Sequence, residues 1–419
     1  KLKNKTSCGP DDVPLSVFKS VAASIVAPLT FLINKSVELG VFPDLLKTSK
    51  VIPVYKKGAQ KDIHNYRPIA LTSVFSKILE YCILDRLNKY LNTFDILSTS
   101  QHGFRVNFST NTALNAYYNK IVSYLNNGKC STGIFCDLSR AFDCVNHTIL
   151  LSKLESYGIR GNVLMWFSSY LTSRYQYVEI SKCINMGNHK FVSSKKPVVR
   201  GVPQGSVLGP VLFSLFINDL PLLADNTGCT LVLYADDTSI LMPNDNMQNT
   251  IFLENISKWF AFNGLLLNDK TKCIYFHTAQ KKVAKTALNI GTQHLEPVNN
   301  ATILGICIEE VLNWNMHCTQ VIKKINIACY QIRTLKYIVD LHVLLNFYYA
   351  HVHSRLSYGI SLWGSSPAAN EVFKAQKRII RNIVSIGSAC SCKPHFKKLK
   401  ILTLPSVYIL TLLVYTFQN

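Results

Sequence analysis

The stretch "LVLYADDTSIL" (Leu231–Leu241) is apolar almost throughout except at its centre. Val, Leu, Tyr and Ile favour extended backbone and Asp favours the turn, so the segment predicts a hairpin with Asp236 and Asp237 at its tip. Adjacent carboxylates repel one another and lose hydration when partly buried. Taken alone, such a pair is more often a plain structural turn than a catalytic one. "STGIFCDLS" (131–139) adds a third carboxylate, Asp137, at the point where an apolar strand breaks. A strand-end Asp and a hairpin-tip Asp pair can converge on one edge of a sheet. There they would hold two divalent cations about 3.5–4 Å apart, as in-line phosphoryl transfer requires. Oxygen donors suit Mg2+, which leaves coordination sites for substrate phosphates.

The flanking segments predict a mixed architecture. Residues 13–50 read as helices, with "FLINKSVELG" closed by Gly40, and "KVIPVYKKG" (50–58) as a strand with a basic turn. Helical spacing of Phe75, Ile78, Leu79, Cys82, Ile83 and Leu87 predicts a helix over 73–91, and a second spans 109–128. One helix is expected from Arg140 to Gly158 and a hairpin over 175–199. A Gly/Pro turn then feeds a helix over 201–220, and a further helix over 250–268 is closed by Gly264. A strand pair is expected from "TKCIYFH" and "TILGICIE", followed by helices from about residue 311 onward. The fold class is α+β with an antiparallel sheet.

Composition narrows the function. The 419 residues are 48% hydrophobic and 16% charged, which describes a globular chain long enough for two or three subdomains. Lys and Arg number 45 against 24 Asp and Glu, a net charge of +21, and so large an excess points to a polyanionic partner. The 13 cysteines are odd in number and scattered, which fits free thiols in a reducing compartment and not a secreted disulfide scaffold. "CSCKPH" (Cys390, Cys392, His395) matches no good zinc spacing. "ILTLPSVYILTLLVYTF" (Ile401–Phe417) is uncharged, but it is short for a membrane span and carries Pro405, so a docked, buried helix is expected and no membrane partner. The opening "KLKNKTSCGP" lacks Met, and both ends read as cuts in a longer frame.

Seven blocks occur in order: "NYRPIAL" (65–71), "QHGFR" (101–105), "FCDLSRAFDCVNH" (135–147), "GVPQGSVLGP" (201–210), "YADD" (234–237), "LNDKTK" (267–272) and "ILGI" (303–306). With "YGISLWG" (358–364) and "LKILTLP" (399–405), they make nearly the whole chain resemble the reverse transcriptase of non-long-terminal-repeat, LINE-like, jockey-type retrotransposons. The resemblance implies a right-hand polymerase with an antiparallel palm sheet and a helical thumb. Residues 1–130 would form an N-terminal extension and fingers. Residues 131–310 would form the palm, with finger elements around 175–200, and 311–419 the thumb and a truncated helical region. It implies an RNA-directed DNA polymerase using Mg2+, with Mn2+ as a substitute. Its partners would be an RNA template, a DNA primer or target DNA, and deoxynucleoside triphosphates. It implies a nuclear and cytoplasmic location and leaves the oligomeric state open.

Carried over by block, Asp137, Asp236 and Asp237 would be the metal-binding carboxylates, with Asp237 the more supportive of the three. Asp143 would cap or pair instead of ligating. Phe142, five residues after Asp137, matches the aromatic beneath the incoming sugar, the plain alternative being a core Phe. Gln204 would meet the templating pair and nucleotide, Gly205 would let backbone approach a ligand, and Ser206 would cap the next helix. Arg67 resembles a residue that meets the triphosphate, an anion suited to bidentate Arg contacts, and Arg105 would do the same or contact template. Lys270 resembles the lysine that protonates pyrophosphate, or is a surface lysine. Leu304 and Gly305 resemble the primer grip. Lys374, Lys377, Arg378 and Arg381 recur at helical spacing and would either track heteroduplex phosphates or form a solvated face.

One departure from the pattern is Asp12, which stands where a Gly tolerant of positive φ is usual. Within this sequence the endonuclease expected upstream is absent and nothing after the thumb resembles a ribonuclease H, so this fragment is expected to polymerise and not to nick DNA. A decayed or domesticated copy that binds nucleic acid without catalysis is the alternative reading. The YADD context and Phe142 argue against a viral RNA-dependent RNA polymerase.

Overall fold

The computed structural model describes residues 7–184, 187–244, 248–281 and 283–418. The first six residues of the opening therefore lie outside the described part, as do 185–186 within the expected 175–199 hairpin. α1 (Leu15–Leu39) ends at Gly40, whose φ of 67° supplies the left-handed cap. By length and composition α1 could cross a membrane, and Val17, Val26, Phe31 and Leu32 on it are exposed. Just before it, Asp12 takes φ 50°, so the position does adopt the left-handed backbone that a Gly would ease.

β1 (Thr48–Tyr55) and β2 (Tyr66–Leu71) pair antiparallel. α2 (Val74–Thr93) begins at Ser73, which accepts from Phe75 N, and buries Leu79, Ile83, Leu87 and Leu91 on one stripe. α3 (Thr110–Asn126) opens with a Ser109–Thr112 capping box. β3 (Ser131–Cys136) follows. The expected helix over 140–158 is split into α4 (Ala141–Cys144) and α5 (His147–Ser156). Val145 is extended, and Asn146 Oδ1 accepts from Thr148 N and Ile149 N, which starts a new helix where periodicity alone showed one.

α6 (Gly161–Leu171) leads into β4 (Arg174–Ile184), β5 (Gly187–Val192) and β6 (Lys196–Val198). β4 runs parallel to β1 and carries β5 and β6 antiparallel, so 174–198 belongs to the sheet of β1 and β2. α7 (Gly209–Phe216), β7 (Thr230–Tyr234), β8 (Asp237–Pro243), α8 (Asn249–Phe262) and β9 (Lys272–Phe276) complete a second sheet of order β7-β8-β3-β9, antiparallel throughout. β9 thus pairs with β3 and not with 302–309, correcting the expected strand pair. β10 (Leu288–Ile290) and β11 (Gln293–Leu295) form a small hairpin, as do β12 (Asn300–Ile303) and β13 (Ile306–Glu309).

The four-stranded sheet is covered on both faces. Ile134, Leu231, Leu233, Ile240 and Cys273 enter one core with α2 and α5–α8. Val232, Leu241, Ile274 and Phe276 enter the other with α3 and the C-terminal helices, as the two-residue alternation of strands demands. Those helices are α9 (Asn315–Leu335), α10 (Leu341–Tyr348), α11 (Ser354–Ser357), α12 (Ile360–Trp363), α13 (Ala369–Val384), α14 (Lys393–Lys398) and α15 (Leu404–Gln418). The tail is not the buried helix expected. α15 docks by Leu404 and Val407 near its start, while Ile409, Leu410, Leu413 and Phe417 stay exposed.

Candidate active site

The hairpin predicted from "LVLYADDTSIL" forms with Tyr234 paired to Asp237, leaving Ala235 and Asp236 as a two-residue turn. Ala235 takes φ 57°, a left-handed conformation that costs a non-Gly residue about 1 kcal/mol and is held by its surroundings. The buried Gln101 supplies that hold: its Oε1 accepts from Gly103 N (2.7 Å) and Ala235 N (3.2 Å). Leu233 N donates to Ser100 O and His102 N to Leu233 O, so "QHGF" braces the carboxylate hairpin as an added strand segment. A Cβ on Gly103 would lie 2.4 Å from Ala235 N, so the brace needs glycine for close approach.

Asp137 reaches the same place by register. Cys136 pairs with Thr238, which sets the next residue, Asp137, beside Asp237 at the end of β8. Its main chain is tied on both sides to the "LNDKT" loop: Asn268 N donates to Asp137 O (2.8 Å), and Asp137 N to Thr271 Oγ1 (3.2 Å). Lys270 lies in this loop with its side chain exposed.

The three carboxylates feel one another. Burial, and after it Asp137, raises the Asp236 pKa; a hydrogen bond to its own backbone, Arg67 and Lys56 oppose the rise. Asp237 is raised to about 6, by burial of the hairpin tip first and then by Asp236 and Asp137, with Lys56 opposing. Arg67 on β2 and Lys56 just past β1 therefore face the acidic cluster from the first sheet. Lys56 was missed as a site residue because "VYKKG" reads as an ordinary basic turn. Among the described residues, no three His, Cys, Asp or Glu side chains are drawn tightly enough together to hold a metal ion by themselves. The donor set still suits Mg2+: it is all carboxylate oxygen, carries excess negative charge and needs substrate phosphates to complete a shell.

The "GVPQGS" loop ties β2 to α4. Ala70 N donates to Gln204 O (2.7 Å), joining the loop to β2, and Gln204 Nε2 donates to Asp143 Oδ1 (2.8 Å). Asp143 pairs, as expected, and burial raises its pKa against the pull of Gln204 and Arg140. Gly205 has φ 124°, and a Cβ there would stand 2.4 Å from Ala70 O. Ser206 Oγ accepts from Gly209 N at the start of α7. Phe142 is half-buried and stacks on Phe213 with ring centroids 4.5 Å apart and 26° between planes. Beneath the loop, Glu80 is fully buried. Its Oε2 accepts from Val207 N, Leu208 N and Tyr170 Oη, and its Oε1 from Ser76 Oγ. A lone acid on the apolar stripe of α2 was the signal for this residue.

Residues 54–308 match the family model described as reverse transcriptase (RNA-dependent DNA polymerase). The chain belongs to the reverse transcriptase family. It is 25% identical over 399 residues to the RNA-directed DNA polymerase from mobile element jockey of Drosophila melanogaster, an alignment covering 91% of this chain and 42% of that protein. To the probable RNA-directed DNA polymerase from transposon BS of the same organism it is 26% identical, over 91% of this chain and 43% of the relative. These relatives bear out the non-long-terminal-repeat lineage, and the chain spans about two-fifths of their length. Among solved structures, an apo telomerase from Candida tropicalis truncated from its C-terminal domain shows a TM-score of 0.44 at 14% identity, covering 69% of this chain and 59% of that one.

The remaining sequence-predicted residues of this reverse transcriptase fall outside the carboxylate cluster. Arg105 is engaged within its own loop: Nη1 donates to Ser98 O (2.7 Å), and the guanidinium lies 4.4 Å from the Phe108 ring centre. Leu304 and Gly305 form the β12–β13 turn with φ of 45° and 82°, and Tyr358 Oη donates to Leu304 O. The quartet on α13 does not act as one face. Lys374 pairs with Glu371 (2.7 Å) and Arg378 donates to Asn326 on α9 (3.2 Å). Lys377 and Arg381, four apart and so neighbours on the helix surface, line the flank towards α14, while Lys374 and Arg378, also four apart, make the other two contacts.

Proposed function

We propose that this chain is the polymerase portion of a retrotransposon protein and extends a DNA primer on an RNA template by two-metal phosphoryl transfer, in target-primed reverse transcription. The observation that carries the reading is the gathering of Asp137, Asp236 and Asp237 at one sheet end, opposite Arg67 and Lys56. In this reading residues 131–310 are the palm, 1–130 with 174–198 the fingers, and 311–419 the thumb. The reaction takes place inside the cell, in cytoplasm and nucleus.

Asp137 and Asp236 would hold two divalent ions between them, with Asp237 supporting. Those ions supply the Lewis-acid chemistry: a lowered pKa for the primer 3′-hydroxyl and stabilisation of charge passing to pyrophosphate. Arg67 and Lys56 bind triphosphate oxygens and hold the α-phosphate in line. Gln204, oriented by Asp143, and Gly205 position the nucleotide against the template. The exposed part of Phe142 lies under its sugar. Lys270 hands a proton to the departing pyrophosphate. Leu304 and Gly305 support the primer end. Arg105 braces the "QHGF" segment and leaves phosphate binding to the other cations.

The test is primer extension by the purified chain on poly(rA)/oligo(dT) with dTTP and Mg2+ or Mn2+. Extension by the wild type and its loss in Asp236→Asn, with template-primer binding retained, is the expected result. Extension by Asp236→Asn at a tenth of the wild-type rate or more overturns the metal assignment, and binding without any wild-type extension favours a non-catalytic copy.

A further inference from the structure

Behind α13, a cavity of about 850 Å3 opens between this helix, α14, the loop from Lys400 to Thr403 and Ser406 at the start of α15. Five cationic side chains line it, Lys377, Arg381, Lys393, Lys397 and Lys400, and no acidic one does. None of the five is paired with a carboxylate among the described residues. The floor is aromatic: Phe373 and Phe396 stand with ring centroids 6.3 Å apart, and Lys377 Nζ lies 4.2 Å from the centre of the half-exposed Phe373 ring. Three hydrogen bonds brace this arrangement. Arg381 Nε donates to Cys390 O (3.1 Å), and Gln376 bonds Leu402 O and Leu404 N.

The cavity does not belong to the carboxylate centre. α13 meets α9 through Arg378–Asn326 and Asn382–Cys329, and α9 in turn packs on β13 beside the four-stranded sheet. Phe373, Lys377 and Arg381 leave the helix on the other flank. Three separate elements thus bring positive charge to one concave surface, and nothing in the helix's own packing requires them to do so. Bringing five like charges together raises their mutual repulsion, which a polyanion relieves.

We propose that this cavity is an accessory site for single-stranded nucleic acid, separate from the cleft that holds the primer–template. The cations take successive phosphates, and an unstacked base lies on Phe373, a combination that grips any single strand without reading its sequence. A duplex keeps its bases stacked inside and offers the concave aromatic floor nothing to take. Lys377 leaves the ring for a phosphate when the base arrives. The site would hold the strand that enters or leaves the cleft.

The test measures binding of short fluorescent oligo(rU) and oligo(dT) to the full chain, beside binding of a blunt heteroduplex and extension of a primed template. Lys393 and Lys397 are exposed, so the double charge reversal Lys393→Glu, Lys397→Glu leaves the core intact. It is expected to weaken both oligonucleotides by at least about tenfold and to flatten the log–log salt slope by roughly 1.4, that is 0.7 for each lost phosphate contact. Affinity for the blunt heteroduplex, which has no single-stranded overhang, and extension rate on saturating primed template stay the same. Phe373→Leu keeps apolar volume and is expected to weaken single-strand binding several-fold with no change of salt slope. Unchanged single-strand binding in the double variant overturns the site, and an equal loss for the heteroduplex reassigns it to the main cleft. Because binding is read apart from extension, the cavity is tested even in a chain without polymerase activity.

Discussion

At the scale of single residues, the acidic centre is poised by burial first and by mutual repulsion after it. Asp237 is raised to about 6 from an ordinary 3.8, so the folded chain holds a proton more tightly there than the unfolded chain does. The stability this contributes is complete below about pH 4 and is lost as pH rises through about 6. Without divalent cation, Asp237→Asn is therefore expected to raise the melting temperature at about pH 7.5 and to change it little at about pH 4. Millimolar Mg2+ should raise the wild-type melting temperature more at the higher pH, because the ligands must be ionised to bind it. Melting curves with and without Mg2+ at the two pH values check both signs, and a larger Mg2+ effect at low pH would contradict the cluster. Phe142 is a second residue-scale case. One face is committed to Phe213 while part of the side chain stays exposed, which suits a ring that limits the room for a 2′-hydroxyl. Phe142→Val should lower the ratio of kcat/KM for dTTP over UTP, whereas Phe213→Leu should cost stability and leave that ratio alone.

Among the elements, the loop between β6 and α7 depends on groups that are distant in the chain. Gly205 has no room for a methyl group against Ala70 O, and its φ of 124° is strained for any L-residue. Gly205→Ala is expected to displace Gln204 and reduce extension by about 10²-fold, the scale of a 1 Å misplacement, more than it lowers the melting temperature. Glu80 holds the same loop from below with four accepted hydrogen bonds. Glu80→Ala strands buried donors, including Val207 N and Leu208 N, and should cost about 3 kcal/mol or more in urea unfolding. A loss below about 1 kcal/mol would mean that water replaces the carboxylate.

Over the whole molecule, part of the cationic excess behind the +21 net charge gathers at two places that differ in shape. Arg67 and Lys56 look into the carboxylate end of the antiparallel sheet, while five cations gather behind α13. Affinity for a primed heteroduplex should fall by roughly 10³-fold or more between about 50 and 200 mM salt, as expected for six or more phosphate contacts. A titration that finds a nearly flat dependence would place the charge excess in solubility and not in binding.

What the sequence by itself determined is local chemistry. The carboxylate hairpin was legible from strand formers around Asp236 and Asp237, and Asp137 from the break of an apolar run. The ordered blocks added the family, and with it the expectation that distant segments converge. α2, α3 and α7 were legible because caps and apolar spacing lie within a few residues of one another. The tertiary structure alone decided whatever depends on contacts across the chain. Glu80 meets Val207 from 127 positions away, and no periodicity encodes that. Lys56 gains its meaning only when β1 and β2 face the acidic hairpin. β9 chose β3 over 302–309 because register and burial on both sheet faces outweigh proximity in sequence. The α13 cations look like one stripe on a helical wheel, yet α9 takes one flank and α14 the other, so packing and not spacing decides which charges face a common ligand.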